Sequence, residues 1–332
     1  EKQAVQEVME TGVLSKYLGC WHDDFYGGPK VREFERMCEN YFSVKHAITV
    51  NSWSSGLTTA VGALDIEPGD EVITSPWTMT ATAAAILHWN AIPVFADISP
   101  KTFCLDPNSV EKNITPYTKA ILSVDIFGQS ADVNALNEIA EKHGLKVISD
   151  TAQSPGALYK GEYAGTITDI GGFSLNYHKH IHTGEGGILV TNDDDLADRM
   201  RLIRNHAEAV IGDMGRMDLN NMVGHNYRLG EIESAIGIEQ LKKLKGFVSC
   251  RQEIAEKLTD GFDGLSGLAP PFIPQDQTHV FYVYPLIYEI NETKISRDTI
   301  YKALVAEGVP GLSQYYQNIH LLPIYQQKIA YG

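Results

Sequence analysis

The sequence predicts an α/β fold, with a large domain built on a mostly parallel, doubly wound sheet and a smaller C-terminal α/β domain after it. Short β-branched runs alternate with helical patterns from His46 to Asp150, the alternation that lays parallel strands side by side with helices on both faces. Residues 145–150 (LKVISD) form an apolar run that ends in a carboxylate and meets the small-residue turn Thr151-Ala152-Gln153. Residues 174–187 (SLNYHKHIHTGEGG) place one lysine, Lys179, between a β-rich approach and a glycine-rich exit.

Taken in order, Val31, Phe34, Met37, Cys38 and Tyr41 fall on one helical stripe, a packing face rather than a site. Strands are expected at 46–50, 71–75, 92–96, 120–124 and 145–149. Asn51-Ser52-Trp53-Ser54-Ser55-Gly56 follows the first strand directly and opens a helix over 54–64; free N–H groups and hydroxyls at a helix start bind phosphate. Asp132 caps a helix whose stripe is Val133, Leu136, Ile139 and Ala140, and Gly144 ends it. The next strand delivers Asp150 to the carboxyl edge of the sheet, where ligands bind and where a carboxylate can keep a cationic ring nitrogen protonated.

Lys179 is useful as a Schiff-base lysine only if its amine is held out of bulk water and partly neutral. Gly184, Gly186 and Gly187 supply room beside it. Further on, 229–244 reads as one long helix bridging to the smaller domain. That domain begins near Lys245, with a strand at 280–288 and a helix at 296–307 capped by Ser296 and stopped by Gly308. The large domain is thus residues 1–244 and the smaller one residues 245–332.

Composition narrows the function. With 43% apolar and 21% charged residues the chain reads as a globular enzyme, and a net charge of −15 argues against nucleic acid or an anionic membrane as partner. Cys20, Cys38, Cys104 and Cys250 are scattered, without zinc or redox spacing, and read as reduced thiols. The most apolar stretch, 81–96, is interrupted by His88, Trp89, Asn90 and Pro93, so neither a signal peptide nor a spanning helix is expected and the location is cytoplasmic. His178, His180 and His182 alternate, so on an extended segment their rings share a face; they are read as local hydrogen-bonding groups or the lining of a substrate entrance, and no metal is expected.

The order of parts resembles pyridoxal-phosphate enzymes of the aspartate-aminotransferase fold, and within them the DegT-type (DegT/DnrJ/StrS-like) sugar aminotransferase family. The resemblance rests on Pro68-Gly69-Asp70-Glu71-Val72-Ile73, Ser149-Asp150-Thr151-Ala152-Gln153, Gly172-Phe173-Ser174 with Lys179 and Gly184-Glu185-Gly186-Gly187, and Asn226-Tyr227-Arg228, and it runs on to His320-Leu321-Leu322-Pro323.

It implies pyridoxal 5′-phosphate as cofactor, Lys179 as its covalent lysine and Asp150 as the partner of the ring nitrogen. Gln153 falls where the family contacts the phenolic oxygen. The phosphate falls to the turn Trp53-Ser54-Ser55 and to Ser174, with Asn226 reaching in from a second subunit, which requires a homodimer with active sites at the subunit interface. Ring stacking falls to Met79 or Trp77. His279 and His320 match positions on the substrate side, and His182 is grouped with them. The family usually has glycine-threonine where this chain has Trp53-Ser54, and residues 19–28 are longer than the family segment, a region for substrate choice or for dimer contact.

The activity implied is transfer of an amino group from an amino acid, glutamate as in the family, to a nucleotide-linked keto sugar in amino-sugar, surface-polysaccharide or natural-product biosynthesis. Some relatives carry His in place of the lysine and act as dehydratases, and Lys179 favours transamination over that alternative. A non-catalytic pyridoxal-phosphate sensor is the other alternative, without a basic segment to support it. The chain starts inside a helical pattern and stops without the closing elements the resemblance implies, so missing or disordered tails are expected.

Overall fold

The structure, a computed structural model, describes residues 1–20, 22–207, 222–314, 316 and 318–331. At its centre is a seven-stranded sheet in the order β1-β9-β8-β5-β4-β2-β3. Its strands are β1 (His46–Val50), β2 (Glu71–Thr74), β3 (Ile92–Phe95), β4 (Thr118–Val124), β5 (Lys146–Asp150), β8 (Ile170–Ser174) and β9 (Gly187–Thr191). Two short antiparallel pairs lie outside it, β6 (Leu158–Tyr159) with β7 (Glu162–Tyr163) and β10 (Leu268–Ala269) with β11 (Ile287–Tyr288). From β3 to β8 every neighbouring pair is parallel, and the expected strands fall where the β-branched runs lie. β9 runs antiparallel to both β8 and β1. That reversal leaves the loop between β8 and β9 at the same edge as the turn that follows β1.

The helices are α1 (Lys2–Thr11), α2 (Pro29–Phe42), α3 (Trp53–Ala63), α4 (Thr80–His88), α5 (Pro107–Lys112), α6 (Val133–His143), α7 (Asp194–Arg204), α8 (Glu231–Leu241), α9 (Leu244–Phe262), α10 (Ile290–Thr293), α11 (Arg297–Ala306) and α12 (Pro323–Gln326). Alternate strand residues point to opposite faces. Ile48, Val50, Leu122, Ile148 and Leu189 pack under α3 and α7. On the other face Ala47, Ile188 and Val190 pack against α2 and α8, and Ile121 and Val147 against α6. A strand buried on both faces needs apolar residues throughout, which is why 120–124 and 145–149 read as near-continuous runs.

Glycines within the helices make sockets for rings. A Cβ on Gly56 or Gly62 of α3 would stand 2.6 Å from the Trp53 ring or 2.0 Å from the Trp89 ring, and one on Gly237 of α8 would stand 2.5 Å from Phe34.

Two expectations change. The run 229–244 is not one helix: α8 ends at Leu241 and α9 starts at Leu244, because the turn through exposed Lys242 and Lys243 keeps both flanking leucines in the core. The run 280–288 is strand only at Ile287–Tyr288. Phe281 takes a positive φ of 50°, and Arg251 Nη1 donates to its carbonyl at 2.9 Å, so the backbone is bent and bonded away from any ladder. The cap of Ser296 on α11 is as expected, its hydroxyl accepting from Thr299 N. Among the described residues no helix is long and apolar enough to cross a membrane.

Candidate active site

Asp150 is the last residue of β5 and is 5% exposed. Its Oδ1 accepts from the Trp53 indole N–H at 2.6 Å and from the Ala152 backbone N–H at 3.3 Å, and its Oδ2 accepts from the Thr82 hydroxyl at 2.9 Å. Burial pushes its proton affinity above the ordinary carboxylate value, while those donors and the Lys179 charge pull the other way. A buried carboxylate surrounded by donors is poised to hold a positive charge in front of it.

Lys179 lies in the loop between β8 and β9. That loop is tied down by Leu175 N to Gly186 O, Thr183 N to Leu175 O and Lys179 N to Asn176 O, at 2.9, 3.0 and 2.9 Å. Gly184 and Gly186 take positive φ values of 91° and 153°, which make the tight return possible. The ammonium stands 4.4 Å over the ring of Tyr282 and has no hydrogen bond or ion pair among the described residues. Burial lowers its pKa to about 8, with Asp150 opposing the shift. The two groups separated by the sheet edge therefore sense each other's charge, the arrangement the two sequence motifs predict.

The turn after β1 presents the start of α3. Ser52 is its N-cap, accepting from Ser55 N at 3.1 Å, and Ser55 donates to Asn51 Oδ1 at 2.7 Å. Trp53, where the family usually has glycine, is the first residue of α3 and does not take a positive φ, so this turn needs no glycine. The backbone N–H groups of Trp53 and Ser54 are the first of an 11-residue helix, where no intrahelical acceptor exists. The surprise is Trp53: its backbone belongs to the turn but its indole is buried against Asp150, and the side chain is no part of a phosphate cradle.

Residues 7–332 match the DegT/DnrJ/EryC1/StrS aminotransferase family. The chain belongs to this family. It is 36% identical over 338 residues to the spore coat polysaccharide biosynthesis protein SpsC of Bacillus subtilis, covering 100% of this chain and 84% of that one. It is 34% identical over 295 residues to the UDP-2-acetamido-2-deoxy-3-oxo-D-glucuronate aminotransferase of Pseudomonas aeruginosa, covering 89% of this chain and 79% of that one. The structure of DesV from S. venezuelae superposes with a TM-score of 0.86 at 32% identity, over 98% of this chain and 82% of that one. The DegT-type family assignment and the aspartate-aminotransferase-like α/β fold drawn from the motifs are both borne out.

Within this family frame the remaining residues divide. Ser174 ends β8 and accepts from Asn176 N at 3.3 Å, and Ser54 is exposed in the first turn of α3. Gln153 is committed on both sides, its Oε1 accepting from Phe127 N and its Nε2 donating to the Tyr316 hydroxyl, each at 2.7 Å. Trp77 packs on Tyr316 with ring centres 5.8 Å apart, whereas Met79, before α4, is 67% exposed. Asn226 is exposed, its Oδ1 accepting from Arg228 Nε at 2.9 Å.

The histidines do not act as a group. The 175–186 loop is turned rather than extended, so His180 is buried while His178 and His182 are exposed. His180 bonds to Val280 O at 2.8 Å, and burial takes its pKa down to about 4. His279 is 3% exposed, accepts from Phe281 N at 2.9 Å, and burial takes its pKa down to about 3, the pattern of a structural histidine. His320 packs on Phe95 with centroids 6.1 Å apart. In the 19–28 segment, Asp23–Tyr26 is a 3-10 turn that buries Phe25, and Trp21 lies outside the described residues.

Sequence reasoning missed Thr82, Tyr282 and Tyr316. Each comes from a segment far along the chain from the group it touches, and none carries a local motif.

Proposed function

We propose that this protein aminates an oxo sugar carried on a nucleotide, taking the nitrogen from an amino acid, glutamate first among the donors to test, with pyridoxal 5′-phosphate as cofactor. The observation that carries the reading is a half-buried lysine whose pKa is lowered to about 8 and which feels the charge of a buried carboxylate at the sheet's carboxyl edge. The residues fit the cofactor chemically: an amine at Lys179, an anion at Asp150, and the free N–H groups of Trp53 and Ser54 with the Ser54 and Ser174 hydroxyls as a phosphate grip. When bound, pyridoxal 5′-phosphate supplies an electrophilic aldehyde carbon and an electron-accepting ring.

The chain's own residues do the rest. With a pKa of about 8, Lys179 is partly neutral near pH 7.5 to 8, so its Nζ can attach to a carbonyl carbon and can take up and return a proton. Asp150 holds a protonated ring nitrogen in a site where burial strengthens the attraction. Gln153 offers its amide to an oxygen on the ring if Tyr316 shares it. Asn226, exposed in one chain, is read as the contribution of a second copy, which makes the working unit a homodimer. Residues 245–332 are read as the smaller domain closing over the sheet edge. The P. aeruginosa relative is named for an oxo sugar on UDP, which supports this substrate class.

Purified protein loaded with cofactor and glutamate, then given UDP-, GDP- and dTDP-linked oxo sugars, is expected to form an amino sugar and 2-oxoglutarate with at least one of them. Turnover of simple keto acids alone would defeat the sugar assignment. Loss of water from the sugar without nitrogen transfer would defeat transamination.

A further inference from the structure

We infer that Trp53 is the positioning residue for Asp150: its buried indole N–H pins Oδ1, so that Oδ2 is the carboxylate oxygen left to receive a ring N–H. The inference rests on the cofactor reading above and deepens it at a position where the family usually has glycine. An ionised carboxylate offers roughly four acceptor directions over its two oxygens. Among the described residues Trp53 and Ala152 take Oδ1, and Thr82 alone takes Oδ2. At 2.6 Å the indole bond is short for an N–H donor, as expected when the acceptor carries charge.

The indole has little freedom to do anything else. It is 6% exposed, and a Cβ on Gly172 of β8 or on Gly56 of α3 would come within 2.3 or 2.6 Å of its ring. The glycine in β8 and the glycine in α3 thus leave a slot that the ring fills. The ring's backbone sits in the phosphate turn, so one residue couples the grip on one end of a ligand to the carboxylate at the other. Without this donor Asp150 binds its own proton more tightly and is less fully ionised, so less negative charge faces a ring N–H. The other groups whose charge reaches Asp150 are Lys179 from the loop after β8, Asp125 beyond the end of β4, and Tyr316 from the C-terminal segment.

The test uses the ligand-free protein labelled at aspartate carboxyl carbons and at tryptophan indoles. Asp150 is assigned by Asp150→Asn and Trp53 by Trp53→Phe, which keeps a ring in the slot. Trp53→Phe is expected to raise the Asp150 carboxyl titration midpoint by about one pH unit or more, the size of a lost hydrogen bond to a charged group. Trp89→Phe is the structural control, since the Trp89 indole makes a comparable 2.7 Å bond to Thr58 O and does not touch Asp150; its midpoint is expected to stay.

If Trp53→Phe does not fold, the wild-type indole spectrum decides instead, with Trp53 assigned by elimination from Trp21→Phe, Trp77→Phe and Trp89→Phe: Asp150→Asn must move the Trp53 signal further than the other three. An unmoved midpoint, an equal effect from Trp89→Phe, or an indole signal indifferent to Asp150 overturns the inference. With pyridoxal 5′-phosphate added as probe, wild-type protein that takes up none defeats the functional reading alone, because the carboxyl titration is made without it.

Discussion

Arg204 and Lys179 are both cations withdrawn from water, and the fold treats them in opposite ways. Arg204 is 0% exposed, but its Nη1 meets Glu35 Oε1 at 2.6 Å and Thr49 O at 3.1 Å, and its guanidinium lies 5.1 Å over Tyr17. Burial works against its charge, yet Tyr17 and Glu35 leave its proton affinity above the ordinary value. Lys179 has a ring face and the charge of Asp150, with no ion pair among the described residues, and its affinity falls. A paired buried cation is a structural part, fixed in charge. An unpaired one keeps a proton it can release, which is the property a reactive amine needs.

The sharpest way to break this contrast is at the lysine itself. Lys179→Ala is expected to lower amino-sugar formation by roughly a thousandfold or more, and Lys179→Arg to do no better, since a guanidinium cannot act as the nucleophile. Wild-type rates in either would end the assignment. Asp150→Asn comes next, with an expected loss of about a hundredfold or more in kcat, read in the same assay.

On the structural side, Glu35→Ala is expected to cost about 3–5 kcal/mol in urea unfolding by leaving Arg204 buried without its anion. The pH at which Lys179 reacts with trinitrobenzene sulfonate should not move in that variant; if it does, the two cations are not independent.

A gentler probe is the pH dependence of stability. Lys179 binds its proton less tightly in the folded chain than in the unfolded one, so the unfolded chain carries more protons between the two pKa values and unfolding free energy rises with pH there. Stability should therefore climb from about 8, the folded value, toward the ordinary lysine range. Lys179→Met should remove that part of the slope when melting curves are compared over the same pH values. The smallest effect is expected for Tyr282→Leu, which keeps the site dry but removes the ring face under the ammonium. The reactivity midpoint of Lys179 should drop by about half a pH unit, and an upward move would mean that water has entered instead.

Much of the site was legible because its parts are local. A strand ending in Asp150, a serine-rich helix start and a lysine before Gly184 each sit in a few consecutive residues whose types suit only certain backbones. The sheet's parallel half was legible for the same reason, through β-branched runs of the right length. What could not be read are the contacts between distant segments: Trp53 on Asp150, Tyr282 under Lys179, Tyr316 on Gln153. The run 280–288 has the composition of a strand, yet contacts to Arg251 and Gly128 override it. Two lysines between apolar residues gave no sign that 229–244 would turn rather than continue. Trp53 is the instructive case, since its position on a phosphate turn suggested a role there while its long side chain reaches a different group.

The ring sockets in α3 and α8 bear on how this enzyme could be engineered. Replacing glycine by alanine on a helix is a standard route to a more heat-resistant protein, worth up to about 1 kcal/mol per site. At positions 56, 62 and 237 the added methyl would strike Trp53, Trp89 and Phe34, and overpacking of that kind typically costs about 1–3 kcal/mol. Library designs should vary each glycine together with its aromatic occupant, because either half altered alone leaves a part that no longer fits its mate.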